Sequence, residues 1–366
     1  MKEFSKEQFF KRQTTLNEFG EEKQQKLQDA EIVIVGCGGL GCVAAVYLAA
    51  SGVGNIKLID YDVVDVSNLH RQVFYKRDDI GKLKAEVLAD HIKSISPFVN
   101  VSTSNKPITK SNIFSEIDDF DVVLDCTDSL PTKYLLNDYC VMTDHILVYG
   151  SLYKHDGYVA TFNIPEGLHN SANLRTAFPK MPEEAVPNCS EVGTLNPIVG
   201  IIGLMQANEA IKIITGIGKP LKDQILIYNS LDNSQLKMKL KVDIACDNIG
   251  KRGILRTFKN EDYLDANCEI HDENLLISAS ELKQKFGSRD FHIISVAEDL
   301  NTKIPFEVSE KIPLSEFKVD NYKVHSEKEY ITVCEKGILS YVAAKDLKDK
   351  YPDLKIFSLK KGTENY

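Results

Sequence analysis

The sequence predicts an α/β protein: a Rossmann-like mixed sheet with a parallel nucleotide-binding half and antiparallel strands, followed by a smaller α/β domain. Three observations carry this. An apolar β-branched run, Ile32–Val35, leads straight into Gly36-Cys37-Gly38-Gly39-Leu40-Gly41 and an Ala-rich stretch, Cys42–Ala50. A second apolar strand, Ile56–Ile59, ends in Asp60 and Asp62. From Ile146 the rhythm changes to strands separated by turns, and the last part of the chain returns to strand and helix in alternation.

The first strand is apolar at every position, as a strand buried on both faces must be. Gly36 allows a tight turn, Gly38 lets a phosphate approach the backbone, and Gly41 lets helix and strand pack closely, with Gly39 between them. The helix N-terminus then offers free N–H groups and a partial positive charge to that phosphate. A carboxylate at the end of the second strand can accept from a ribose hydroxyl. A lone glycine motif is weak, but strand, glycines, helix, strand and acid in this order are specific.

Bulk properties narrow the function. The 366 residues suffice for two domains with separate cores. A net charge of −9 argues against duplex nucleic acid as a partner. No apolar run is expected to reach the length needed to span a bilayer, and the start, MKEFSKEQFFKRQ, lacks the apolar core of a signal peptide. The eight cysteines are scattered with no CxxC pair, which suits reduced thiols in the cytoplasm.

Ahead of the first strand, Ser5–Gln28 reads as polar helix broken at Gly20, with Phe9 and Phe10 as anchors before Arg12. After Asp60 a loop carries Asn68, Arg71 and Gln72, and Lys84 follows in a helix over Lys82–Ile95. Val99–Ser102 reads as the third strand and Asp121–Leu124 as the fourth, the latter followed by DCTD with Asp128. Ligands of open parallel sheets sit outside the carboxyl ends of strands, which puts Asp128 at the same crevice as Gly38; as an alternative it caps the helix Pro131–Cys140. Two strands surround a His155-Asp156-Gly157 turn; Pro197–Thr215 is a long apolar helix, and Gln224–Asn229 and Gln235–Val242 are further strands. Cys189 lies in a Pro- and Glu-rich loop before that helix. Residues 1–246 are expected to form the first domain, 247–274 a linker, and 275–366 the second domain. Within the last, Cys334 follows the strand Tyr330–Val333 and precedes a helix from Ser340, where backbone N–H groups would favour the thiolate.

Taken together, Lys11–Gln13, GCGGLG, DYDVVDVSNLHRQ, GKLKAE, DCTDSLPTKYLLND, GSLYKHDGYVATFN and the NCSEVGTLNPIVGIIGLMQANEAIKIITG block resemble the MoeB/ThiF/HesA family, bacterial relatives of ubiquitin-activating enzymes. The resemblance covers roughly Phe9–Val242. It implies ATP- and Mg²⁺-dependent adenylation of the C-terminal glycine of a ubiquitin-like sulfur-carrier protein ending in Gly-Gly. By the same resemblance Asp60 and Asp62 hold ribose and adenine-side contacts. Asn68, Arg71 and Lys84 face the triphosphate, Asp128 holds Mg²⁺ or orients the attacking carboxylate, and Arg12 reaches the other subunit's site in a homodimer. Cys189 matches a cysteine that takes the activated carrier covalently in several members.

Two departures stand out. Most of the family binds structural zinc through two CxxC pairs, but here Asn173-Leu174-Arg175-Thr176 stands at the first and only Cys246 at the second, so no zinc is expected. Lys133 stands where an arginine is common, keeping the charge but not the fork. The tail is similar to a rhodanese-like domain, with Cys334 at the persulfide position; a cysteine desulfurase would then be a further partner. Ser295 and Ala297 replace the usual charged pair, and Glu335 and Leu339 the loop arginines, so the tail reads as degenerate. Three other readings remain: a nicotinamide-dependent oxidoreductase on the same glycine turn, adenylation of a carboxylate other than a carrier's, and a non-catalytic scaffold.

Overall fold

The computed structural model describes residues 4–167, 169–182, 193–242, 250–261, 263, 273–286, 291–297, 300, 302–314, 316–319, 322, 324, 328–335, 337–360, 362, 363 and 366. The chain divides into two compact units, Met1–Tyr263 and Leu264–Tyr366.

In the first unit β1 (Glu31–Val35), β2 (Asn55–Ile59), β3 (Asn100–Ser104), β4 (Val122–Asp125) and β5 (Ile146–Tyr153) run parallel in the order β3-β2-β1-β4-β5. Beyond β5 the sheet continues antiparallel through β6 (Asp156–Phe162), β7 (Gln224–Asn229) and β8 (Gln235–Lys239). This is the mixed sheet expected from the sequence, with strand bounds shifted by at most three residues. Strand order reverses at β1, so the crevice between the carboxyl ends of β1 and β4 is the place for a ligand.

The alternation of β1 explains the two layers. Ile32 and Ile34 point into a core built with α2 (Gly20–Asp29), α3 (Gly39–Ser51), α4 (Lys84–Ile95) and α8 (Asn196–Thr215). Val33 and Val35 point the other way, into a core with α5 (Ile113–Ile117), α6 (Leu130–Thr143), α7 (Leu174–Ala177) and α9 (Lys251–Asn260). Each fully buried aliphatic side chain contributes roughly 1.5–3 kcal/mol of transfer free energy. Helix α1 (Lys6–Thr14) starts with a capping box between Ser5 and Gln8, and Phe10 anchors it.

Two expectations are corrected here. Helix α8 has 20 residues and is, by length and composition, apolar enough to cross a bilayer. It lies instead against α3 and the sheet, with Gln206 and Glu209 buried and hydrogen-bonded inside the unit. The proposed linker is also partly folded: α9 buries Ile254 and Phe258, and Tyr263 is buried against α6, so the first unit runs past residue 246. Two apolar anchors, four residues apart, were too few to show a helical period.

In the second unit five parallel strands, β9 (Leu276–Ile277), β10 (Phe291–Ser295), β11 (Glu310–Lys311), β12 (Glu329–Val333) and β13 (Ile356–Leu359), lie in the order β9-β13-β12-β10-β11. Helices α10 (Ala279–Lys285) and α11 (Ile338–Lys350) accompany them.

Candidate active site

The glycine turn between β1 and α3 is shaped by two contacts that no side chain would permit. Gly36 has φ +91°, and its N–H donates to the Ile59 carbonyl at 2.8 Å. A Cβ on Gly41 would lie 1.8 Å from the Gly36 carbonyl oxygen, so helix and strand close only because it has none. A Cβ on Gly39 would meet Val199 Cγ1 at 2.3 Å. Gly38 is different: a Cβ there would touch only Gln72 Nε2, at 3.6 Å, leaving its backbone open to a ligand. Helix α3 begins at Gly39 with no side-chain cap, and its first N–H groups are the orphan donors that bind phosphate.

Acids and one cation gather at the carboxyl end of β2. Asp60 Oδ2 accepts from the Cys37 N–H at 2.6 Å and Oδ1 from the Asp62 N–H at 2.8 Å, tying β2 to the glycine turn. Burial pushes the Asp60 carboxyl up to about 6, with Lys84 opposing and Asp62 reinforcing the shift. Residues 62–64 pair with 81–84 through Val64 N–H to Lys82 O and Lys84 N–H to Asp62 O, and this pairing sets Lys84 at the start of α4. Its ammonium lies 2.7 Å from Asp62 Oδ2. Burial opposes its charge, but Asp60 and Asp62, and more weakly Asp128, hold its pKa above the ordinary lysine value.

The loop after Asp62 folds over the turn. Asp65 caps a short 3₁₀ helix, Val66–Asn68, and the Asn68 carbonyl accepts from the Arg71 and Gln72 N–H groups at 3.0 Å each. Arg71 is half-buried; its Nη1 donates to the Ser67 carbonyl at 3.0 Å, and its own carbonyl lies beside Gly39. Gln72 is buried beside Gly38, and its Oε1 has no hydrogen-bond partner among the described residues. The Tyr75 hydroxyl donates to the Cys37 carbonyl at 2.7 Å and closes the loop onto the turn.

Asp128 is exposed just beyond β4, and the cap of α6 is Ser129, whose hydroxyl accepts from the Thr132 N–H at 3.3 Å. The capping alternative for Asp128 is therefore excluded. The turn that carries it rests on a buried network missed in the sequence. Asp125 accepts from Thr127 N–H and Oγ1 and from Lys133 Nζ at 3.1 Å, Lys133 also donates to the Gly150 carbonyl, and Gln206 Nε2 donates to the Asp125 carbonyl at 2.7 Å. A glutamine within an apolar helix was the available signal, because a buried amide needs partners.

Arg12 is not part of this group. It is exposed on α1, which packs at the far end of α3: Phe10 lies beside Gly52, and Gln13 Nε2 donates to the Ser51 carbonyl at 2.9 Å. Thirteen residues of helix, about 20 Å, separate that end from the glycine turn. Cys189 lies outside the described residues. Cys334, in the second unit, is 3% exposed, with Gly337 and Ser340 N–H groups donating to its sulfur at 3.1 and 3.4 Å. The expected backbone donors are present at two positions, and Cys334 packs in an apolar cluster that includes Leu339.

A sulfur carrier protein adenylyltransferase of Thermus thermophilus is 39% identical over 240 residues, covering 65% of this chain and 88% of its own. An adenylyltransferase and sulfurtransferase MOCS3 of Drosophila sechellia is 34% identical over 370 residues, covering 94% of this chain and 79% of its own. Among solved structures, E. coli MccB with ATP shares the fold, with a TM-score of 0.56 and 23% identity over 63% of this chain and 69% of that one. The ThiF family model matches residues 10–247, and the chain belongs to the ThiF family.

Proposed function

We propose that this chain is an adenylyltransferase that uses ATP to activate the C-terminal glycine of a ubiquitin-like sulfur-carrier protein. The observation that carries the reading is the convergence of the glycine turn, Asp60, Asp62, Lys84 and Asp128 at the carboxyl ends of β1, β2 and β4. Phosphates lie on the N–H groups of α3, and Asp60 accepts from the ribose. The carrier's carboxylate oxygen attacks the α-phosphorus, the bond to the bridging oxygen breaks, and pyrophosphate leaves with its electron pair. Lys84 and Arg71 stabilise the charge that builds on the phosphoryl oxygens. Mg²⁺ uses few protein carboxylates and fills its shell with phosphate oxygens and water, so exposed Asp128 alone fits it; the ion would neutralise charge on the leaving group. The Gln72 amide, buried beside Gly38 with one atom unpartnered, supports a polar ligand at the turn.

The separation of Arg12 from its own glycine turn supports a homodimer in which each subunit lends this arginine to the other. Cys189 is proposed to attack the carrier's acyl-adenylate, its sulfur forming a thioester as the acyl–phosphate bond breaks and AMP leaves. Cys334 is proposed to take the outer sulfur of a cysteine desulfurase's persulfide in the cytoplasm, the S–S bond of the donor breaking and its thiol leaving, with two N–H donors stabilising the anionic sulfur on Cys334. The second unit would then act as a rhodanese-like domain. Pyrophosphate exchange with purified chain, Mg²⁺, ATP and a Gly-Gly-tailed carrier tests the first step; no exchange and no acyl-AMP would overturn it. Cyanolysis tests the relay, which is abandoned if Cys334 carries no sulfur and Cys334→Ala keeps full transfer. A nicotinamide reading leaves Lys84, Arg71 and Asp128 without a task, and quenching of nicotinamide fluorescence would be its signature.

A further inference from the structure

Among α6, α7 and α9 lies a buried charged cluster that the nucleotide chemistry does not use. Arg175 donates from Nε to Asp138 Oδ1 at 2.8 Å and from Nη2 to Asp138 Oδ2 at 2.6 Å. The same Nη2 reaches Glu261 Oε2 at 3.0 Å, and Nη1 donates to the Pro179 carbonyl at 3.3 Å. The Tyr263 hydroxyl donates to Asp138 Oδ2 at 2.5 Å. The guanidinium lies over the Tyr134 ring, 4.8 Å from its centre, and the Tyr134 hydroxyl donates to the Phe178 and Lys180 carbonyls. Arg175 and Asp138 have 4% and 0% of their side chains exposed.

The family resemblance implies a zinc at this place, and the residues do not fit one. Asn173 and Thr176 stand at the two cysteine positions, and Asn173 Oδ1 already accepts from the Arg175 N–H at 2.9 Å. A permanently charged guanidinium between them repels a dication. Among the described residues no three His, Cys, Asp or Glu side chains gather to hold a metal.

We propose that Arg175, Asp138, Glu261 and Tyr263 form a metal-free clamp that ties α7 to α6 and to the chain just after α9. The clamp joins residues 173–180, which lead in sequence to Cys189, to the C-terminal end of the first unit. A planar fork suits this place better than a point charge, because it bonds both oxygens of one carboxylate and a second carboxylate together. The inference uses the family assignment only for the expectation of zinc, and its readouts are independent of adenylation.

The test uses full-length protein from zinc-supplemented culture, assayed for bound zinc by atomic absorption and for its melting midpoint with and without EDTA. Far less than one zinc per chain and an unchanged midpoint are expected. Stoichiometric zinc with a midpoint that falls on chelation overturns the clamp. Glu261→Gln and Tyr263→Phe, singly and together with Arg175→Met, form double-mutant cycles. Each single change is expected to lower the midpoint by a few degrees, with combined losses smaller than their sums because the groups share one network. Strict additivity, or single changes without effect, also overturns it. Should Arg175→Met fail to fold, the Glu261→Gln and Tyr263→Phe cycle decides alone.

Discussion

The Lys84 ammonium lies 2.7 Å from Asp62 Oδ2, with 5% of the residue exposed, at the point where α4 meets the end of β2. A cation so placed is held by the protein before any ligand arrives, and it costs no reorganisation when charge develops on phosphate. Lys84→Met is expected to reduce pyrophosphate exchange by a factor on the order of 10²–10³. Exchange within a factor of ten of the parent rate would remove Lys84 from the chemistry.

The Asp60 carboxyl titrates at about 6 in the folded protein against an ordinary value of 3.8, because burial disfavours its charge. A folded pKa above the unfolded one means that this group's stabilisation is fully present below 3.8 and lost as pH rises through about 6. Asp60→Asn should therefore flatten the dependence of the unfolding midpoint on pH across that window. Only the carboxylate form accepts freely from a ribose hydroxyl, so ATP affinity in the parent protein should weaken as pH falls through about 6. Calorimetric titration on either side of that pH checks the sign; tighter binding at the acid side would contradict it.

Gly38 and Gly41 separate ligand space from packing space. Gly41→Ala drives a Cβ to 1.8 Å from a backbone oxygen, so the turn must open and the unit is expected to lose at least about 1–3 kcal/mol by urea unfolding. Gly38 has φ −71°, and its added methyl meets only Gln72 Nε2 at 3.6 Å. Gly38→Ala should leave the urea midpoint nearly unchanged while weakening ATP binding, because the methyl stands where phosphate approaches. Equal losses of stability in the two variants would contradict the division.

The parallel half of the sheet was legible because β1 and β4 are short apolar runs buried in the core, and β1 and β2 lead directly into the glycine turn and Asp60. The glycine turn was legible because the positive φ of Gly36 and the contact of Gly41 with the Gly36 carbonyl are set within a few residues. Lys133, Gln206 and Arg175 were not legible as partners: their bonds to Asp125 and Asp138 cross between elements, and a single chain carries no sign of which charges meet. The separation of Arg12 from Gly38 came only from the resemblance, and its physical cause lies in the packing of the fold. Their distance follows from how α1 packs at the C-terminal end of α3, a consequence of Phe10 and Gln13 rather than of Arg12 itself.

Lys133 is buried and divides its three donors among Asp125 Oδ1, Asp125 Oδ2 and the Gly150 carbonyl, at 3.2, 3.1 and 2.7 Å. Burial works against its charge, but Asp125 more than compensates and holds its pKa above the ordinary value. Lys133→Met leaves the Asp125 carboxylate buried without its counterion, a loss of about 3–5 kcal/mol, which is a large share of a typical domain's stability. The Asp125 carboxylate also holds Thr127, so the turn before Asp128 should loosen and the Mg²⁺ dependence of exchange should shift to higher metal concentration. Lys133→Arg keeps the charge and should retain far more of both properties. Combining Lys133→Met with Asp125→Asn should recover part of the lost stability, because the stranded charge is removed with its partner. A double variant that is less stable than Lys133→Met alone would show that the pair is not what holds this turn.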